Sequence, residues 1–321
     1  MSAALALDLA PPGPQLPGFR AHALHAADRA WPETNCYVDL WIELLHARGL
    51  VPEAMLGFTL RQDFEGDQFT FFKPHATDIE RLYGLEVQEL AVYDSLEGHA
   101  LVQIARGRTV LVEVDGFFLP DTPAATYRRE HGKTTIAILA LDPEARTLEY
   151  LHNAGRFRLS GADYDGVFAA QTLFPYAEFV KEGGAPLPPA ALHGEALALL
   201  RAHRRRAPAE NPWAAFRDAL ARDGERRVAG TLADFHHYAF NTTRQAGACA
   251  ELLASHLDWL GGFADAADHA RALAGEARAF QFQLARAYSR RSAAGLPARL
   301  DKAVASYDAL FAALDRALLA A

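Results

Sequence analysis

Two cysteines in 321 residues, Cys36 and Cys249, are too few for a disulfide framework and suit a reducing compartment. Apolar runs are short. None approaches the roughly 18 uninterrupted residues of a membrane-crossing helix, so no membrane partner is expected. The opening stretch lacks a basic start, carries Asp8 and turns proline-rich early, so it does not read as a signal peptide. The expected address is the cytoplasm. Several chemical signatures are missing as well: a glycine-rich phosphate loop, a dinucleotide fingerprint, a Gly-x-Ser-x-Gly elbow and a His-Glu-x-x-His helix. There is no pair of Cys-x-x-Cys motifs, His236 and His237 are adjacent and would point in different directions on a helix, and His22 and His25 lack a carboxylate at ligand spacing in the sequence. Neither a metal centre nor a cofactor is expected. Basic charge is scarce in the first half, where 14 Lys and Arg face 24 Asp and Glu over residues 1–175. Residues 176–321 hold 18 against 16, and the whole chain carries a net charge of -8. Nucleic-acid affinity rests on clustered Lys and Arg, so nucleic acid is excluded as a partner.

What remains is globular: 50% of the residues are hydrophobic and 22% charged. The first half alternates short helices and strands. Apolar residues at Tyr37, Val38, Trp41, Leu44 and Leu45 give residues 35–48 a helical period, which Gly49 terminates. Gly57–Leu60 and Phe69–Phe72 read as strands around an acidic loop, and Thr77 as the cap of a short helix ending at Gly84. Val87–Tyr93, Thr109–Val114, Thr134–Leu141 and Thr147–Leu151 read as further strands, with a helix over Leu96–Ala105. After Phe174 the composition shifts. Helix-period segments rich in Ala, Leu and Arg fall near 190–206, 212–223, 228–260, 264–291 and 297–320. The fold class is therefore α+β followed by an all-α helical bundle. The boundary lies at the Gly- and Pro-rich stretch 183–189, giving an α+β domain over 1–182 and a helical domain over 183–321.

Cys36 is the informative residue. Thr34 or Asn35 would cap a helix whose first turn then holds the sulfur, where free N–H groups and the helix dipole favour a thiolate. The same N–H groups would stabilise an oxyanion formed when the sulfur attacks a carbonyl. Cys249, inside an Ala-rich helix, reads as a buried structural thiol. A nucleophilic thiolate needs a base and an orienting group. His131 precedes a buried strand, and Asn153 follows the next one, which would bring the two side by side. Asp142, in the turn between those strands, is the rival orienter.

This order, a cysteine at a helix start, a histidine before a strand and a polar residue after the next, resembles papain-like cysteine folds. The likeness is to the bacteriocin-processing peptidases and the butirosin-pathway acyltransferase family, and it covers about the first 175 residues. Over most of its length the chain also resembles a bacterial family of unknown function with recurring short elements. These stand here at Asn35–Trp41, Asp63–Gln68, Glu113–Asp115 and Leu119–Thr122. The papain-like resemblance implies Cys36 as nucleophile, His131 as base and Asn153 as orienter. Papain-like enzymes offer a Gln before the nucleophile for the oxyanion, and residues 28–33 have none. Asn35 or Gln68 would have to substitute. Asp63, Glu65 and Asp67 of the acidic loop, with Asp115 and Asp121, are candidates for binding an amine.

The resemblance further implies an acyltransferase. It would move an acyl or aminoacyl group from an acyl carrier protein's phosphopantetheine thioester, through acyl-Cys36, to a small-molecule or peptide amine. Carrier proteins are acidic, and the basic run Arg201, Arg204, Arg205 and Arg206 would meet one. Hydrolysis by a peptidase or amidase, and a non-catalytic scaffold using the same cleft, are the alternatives.

Overall fold

The computed structural model describes residues 15–169 and 174–320. Its first region holds helices α1 (Cys36–Ala47), α2 (Ala76–Tyr83), α3 (Leu96–Ala105) and α4 (Ala162–Phe168). Its strands are β1 (Leu85–Glu89), β2 (Thr109–Asp115), β3 (Lys133–Asp142), β4 (Thr147–His152), β5 (Gly155–Ser160) and β6 (Ala177–Glu182). The second region is helical: α5 (Pro189–Arg204), α6 (Pro212–Val228), α7 (Leu232–Ala239), α8 (Gln245–Leu260), α9 (Ala264–Arg290) and α10 (Asp301–Ala320). Among the described residues no helix is long and apolar enough to cross a membrane.

The six strands form one antiparallel sheet in the order β1-β6-β2-β3-β4-β5. Period-two alternation gives it two apolar faces. Val110, Val112, Val114, Ile136 and Ile138 point into a core covered by α3 and α4. Leu111, Ala137, Leu151 and Val180 point the other way, onto α1. Helix α1 is buried on nearly every side, from Val38 to Leu45, as its almost unbroken apolar run requires. Its other side meets the 3-10 helix Pro52–Arg61, which packs on α5 and α8, so one continuous core runs from the sheet through α1 into the helical region.

Several local readings change. Gly57–Leu60 belongs to a 3-10 helix, Pro52–Arg61, and Phe69 forms only a single bridge to Phe64. A short apolar run is equally compatible with a buried helical turn, and here burial on the helical region decides. His75, not Thr77, precedes α2. The chain then turns at Gly84 with φ 66°, where a Cβ would stand 2.4 Å from the Gly184 carbonyl oxygen. Gly183 and Gly184 both donate to the Gly84 carbonyl, so the Gly-rich stretch is stitched back onto α2. The segment read as one helix over 228–260 is broken by a π-helical turn, Phe240–Arg244. There the Thr242 and Thr243 hydroxyls donate to the carbonyls of Tyr238 and Ala239.

Candidate functional site

The sequence before Cys36 is held from three sides. Asn35 caps α1: its side-chain oxygen accepts from the Val38 N–H at 3.0 Å, and its amide donates to the Phe72 carbonyl at 3.1 Å. Asp39, one turn on, accepts from both the N–H and the hydroxyl of Thr34. Arg244, from the π-helical turn, donates to the carbonyls of Glu33 and Thr34. Upstream, Glu251 of α8 accepts from the N–H groups of Ala30 and Trp31, and the Trp31 indole donates to the Ala274 carbonyl. The helical region thus fixes where α1 begins.

Half-buried Cys36 lies over the sheet beyond its middle, and its thiol faces the Thr135 hydroxyl at 3.9 Å. Thr135 is opposite Glu113 on β2, and the Glu113 N–H donates to the Tyr176 carbonyl. The next pair along the same face is Asp115 with Lys133, and the Lys133 ammonium reaches Glu113 at 2.6 Å. His131 comes just before β3. Its Nδ1 meets the Asp115 carboxylate at 2.5 Å, and its ring stacks on Phe117 at 4.5 Å. Asp115 also accepts from the N–H groups of Phe117 and Gly132. Burial alone would raise the Asp115 carboxyl, but these hydrogen bonds outweigh it and hold it below the ordinary carboxylate value. Glu113, Asp115, His131, Lys133, Phe118 and Tyr176 all line an open cleft of about 600 Å³ at this end of the sheet.

Cys36 and His131 therefore occupy the same end of the sheet without touching, and Cys36 is not among the residues that line the cleft. With a strand rise of about 3.3 Å per residue, Lys133 lies roughly 7 Å beyond Thr135, and His131 farther still. The imidazole's carboxylate partner is Asp115, not Asn153. Asn153 takes φ 46° in the two-residue turn joining β4 to β5, a left-handed position that Asn tolerates better than most residues. Asp142 accepts from the Ala145 N–H and shapes the turn between β3 and β4, at the far end of the strand. The acidic loop is a hairpin tip pinned by the Glu65 N–H to the Gln68 carbonyl, with Asp63 accepting from the Phe64 N–H. Its Phe64 and Phe69 rings pack on Phe216, leaving Asp67 and Gln68 exposed. Asn35 is engaged at both ends of its amide, the oxygen in capping α1 and the nitrogen on the Phe72 carbonyl. Next to the sulfur lie the backbone N–H groups of α1's first turn.

Two constellations escaped the sequence reading. On the opposite sheet face, buried His152 bonds Asp121 through Nδ1 at 2.6 Å and Thr134 through Nε2 at 2.7 Å, while the Tyr150 hydroxyl donates to Asp121. This network ties the loop that carries His131 to the sheet. Strand alternation through Leu148, Tyr150 and His152 is the signal that would have pointed His152 inward. The second is His75, Asp78 and His203, whose ligand-capable atoms lie within 4.8 Å of one another where α2 meets α5. His203 Nε2 bonds Asp78 at 2.8 Å, and Arg61 bonds His75 Nε2. Their separation of over a hundred residues hid the cluster. His25 and His22 do find carboxylates in space, at Glu43 and Glu53.

Much of the basic run serves internal packing. Arg204 forms a two-pronged bond with Asp315 over the Phe311 ring, and Arg201 donates to the Leu318 carbonyl. Arg205 and Arg206 are exposed.

A comparison with curated proteins finds no match. Two family models do match, the DUF1839 N-terminal domain over residues 20–182 and the DUF1839 C-terminal domain over residues 190–316. The first covers the sheet, α1 and the cleft, and the second covers the helices that brace them. The chain belongs to the DUF1839 family.

Proposed function

We propose that this protein is a cysteine-dependent acyltransferase of papain-like architecture, with Cys36 as nucleophile and the Asp115–His131 pair as its acid–base partner. The observation that carries the reading is a half-buried thiol at the first turn of a braced, buried helix, over the same end of the sheet as a cleft that holds a carboxylate-oriented imidazole. In the first step the Cys36 thiolate attacks a thioester carbonyl. The carbon–sulfur bond to the donor breaks, and the departing thiolate takes a proton from the His131 imidazolium. In the second step an amine attacks acyl-Cys36, the bond to Cys36 breaks, and the amine proton returns to His131. With an amide donor in place of the thioester, the C–N bond breaks and the amine leaves with the His131 proton; water then releases the acid from Cys36, the peptidase or amidase outcome.

His131 acts through Nε2, because Nδ1 is taken by Asp115. Apo geometries of such pairs are often long, and proton transfer belongs to the substrate-bound cleft. The donor we propose is a carrier-protein thioester in the cytoplasm, with docking confined to Arg205 and Arg206. A second reading, a peptide- or carrier-binding scaffold without acyl chemistry, draws on the Thr135 contact, a hydroxyl where an imidazole would be expected. Intact mass of the protein after incubation with acyl-carrier thioesters separates the two. A Cys36-dependent acyl adduct supports the enzyme, and its absence across donors supports the scaffold.

A further inference from the structure

Beside Cys36 the chain has built a small cage and placed its own cation in it. The Lys73 ammonium lies 4.5 Å from the centre of the Tyr37 ring, 5.7 Å from Phe71 and 6.0 Å from Tyr176. Glu178 braces two of these walls, accepting from the Tyr37 hydroxyl at 2.7 Å and from the Tyr176 hydroxyl at 2.5 Å. Burial first, and then the Glu178 carboxylate, push both phenols well above their ordinary value, so both remain donors at neutral pH. Phe71 and Tyr176 are 40% and 41% exposed, large aromatic surfaces left open to solvent. Lys73 itself is exposed, with no carboxylate within salt-bridge distance among the described residues. Ring faces and a carboxylate with both oxygens engaged are the environment that selects an organic ammonium over a hydrated inorganic cation.

The cage lies next to the thiol. Tyr37 follows Cys36 directly, and Tyr176, Glu113 and Thr135 form one row across β6, β2 and β3. Strand spacing of about 4.8 Å sets Tyr176 and Thr135 roughly 10 Å apart at the backbone.

We infer that this aromatic cage binds an ammonium group of the acyl donor, with Lys73 as a displaceable occupant, so the group carried by Cys36 is aminoacyl. The inference rests on the acyl-transfer reading for its substrate, while the cage is an independent binding element. An acceptor amine does not fit the role: it must lose its proton to attack, whereas the cage favours the protonated form. The spectator ammonium of the donor stays charged throughout.

The test uses the full-length Cys36→Ala protein, which binds without turnover, and two N-acetylcysteamine thioesters, β-alanyl and butyryl. These differ chiefly in the charge of the terminal group. Titration calorimetry should show the β-alanyl ester binding at least several-fold more tightly. Lys73→Met should tighten β-alanyl binding by about two- to five-fold by emptying the cage, and Glu178→Gln or Tyr176→Leu should weaken it by a similar factor, the size of exposed cation–π contacts. Butyryl binding should not follow these changes. Tyr176→Leu removes an exposed ring, so it keeps the test valid if Glu178→Gln folds poorly. Equal affinity for the two esters, or indifference of β-alanyl binding to Lys73→Met, overturns the cage. Preferential β-alanyl binding by a wild-type protein that never forms an adduct at Cys36 would retain the cage and remove the acyl-transfer reading.

Discussion

His131 Nδ1 lies 2.5 Å from the Asp115 carboxylate, at the end of the strand pair whose next residues lead to Thr135 and the Cys36 sulfur. Asp115 is thereby the group that sets the imidazole's tautomer and leaves Nε2 free for chemistry.

On the proposed reading the orienting role falls to Asp115, the residue that His131 Nδ1 meets. Asp115→Asn should cut acyl transfer substantially, with His131→Ala costing about 10²–10⁴-fold. Asn153→Ala should leave the rate nearly unchanged and act mainly on stability, through the left-handed turn it disturbs. Steady-state kinetics of the three variants decide this, and a severe Asn153→Ala with a mild Asp115→Asn would reverse the assignment.

Asp115 also sets a pH signature. Its carboxyl is held below the unfolded value, so its contribution to stability is present above the ordinary carboxylate range and is lost as pH falls through the folded value. The melting-temperature gap between wild type and Asp115→Asn should be full at neutral pH and close in strong acid. A gap that widens on acidification would contradict the hydrogen-bonding pattern described.

His256 gives the opposite group the same direction. Burial lowers its pKa to about 4, and its Nδ1 bonds the Glu53 carbonyl across the two regions. The unfolded chain takes up a proton near pH 6.5 and the folded one near 4. The protein should therefore lose stability between these values and no further below them on this account. His256→Gln should flatten that part of the stability profile, measured by denaturant unfolding at stepped pH.

The two family domains should unfold as one. Trp31, buried and bonded to the Ala274 carbonyl, packs against Gly247 of α8 while its neighbours lead into α1. Trp31→Ala should cost about 3–5 kcal/mol, as large aromatic truncations do. It should lower a single unfolding transition seen by both circular dichroism and calorimetry. Two separate transitions, only one of them shifted, would mean that the cores are independent.

Much of this was legible residue by residue. Helix α1 showed itself through its apolar spacing and the Asn-Cys start, and β2, β3 and β4 through β-branched runs with turn residues between them. Gly155–Ser160 was passed over although Phe157 and Leu159 alternate with Arg156 and Arg158, a plain period of two. Reading inward and outward positions along β4 would also have favoured His152 over Asn153 as the buried partner. The pairing of His131 with Asp115 was harder. It depends on the register of β2 against β3, which is set by side chains across the whole sheet. The cage is harder still, since Tyr37, Lys73 and the Tyr176–Glu178 pair come from three separate segments.

The thiols provide an internal control. Cys249 is fully enclosed, with its sulfur donating to the Thr59 carbonyl, and burial raises its pKa well above the ordinary thiol value. Limited iodoacetamide on the native protein should modify Cys36 and spare Cys249, with both reacting in denaturant, as peptide mapping would show. Equal labelling in the native state would make Cys36 an ordinary structural thiol.

The most direct test of acyl transfer is the intact mass of the wild-type protein after brief exposure to an aminoacyl carrier-protein thioester without acceptor. We expect one added aminoacyl mass, mapped to Cys36, absent from Cys36→Ala and released when an amine is supplied. A protein that stays at its unmodified mass across a panel of such donors, or an adduct that persists in Cys36→Ala, would contradict it.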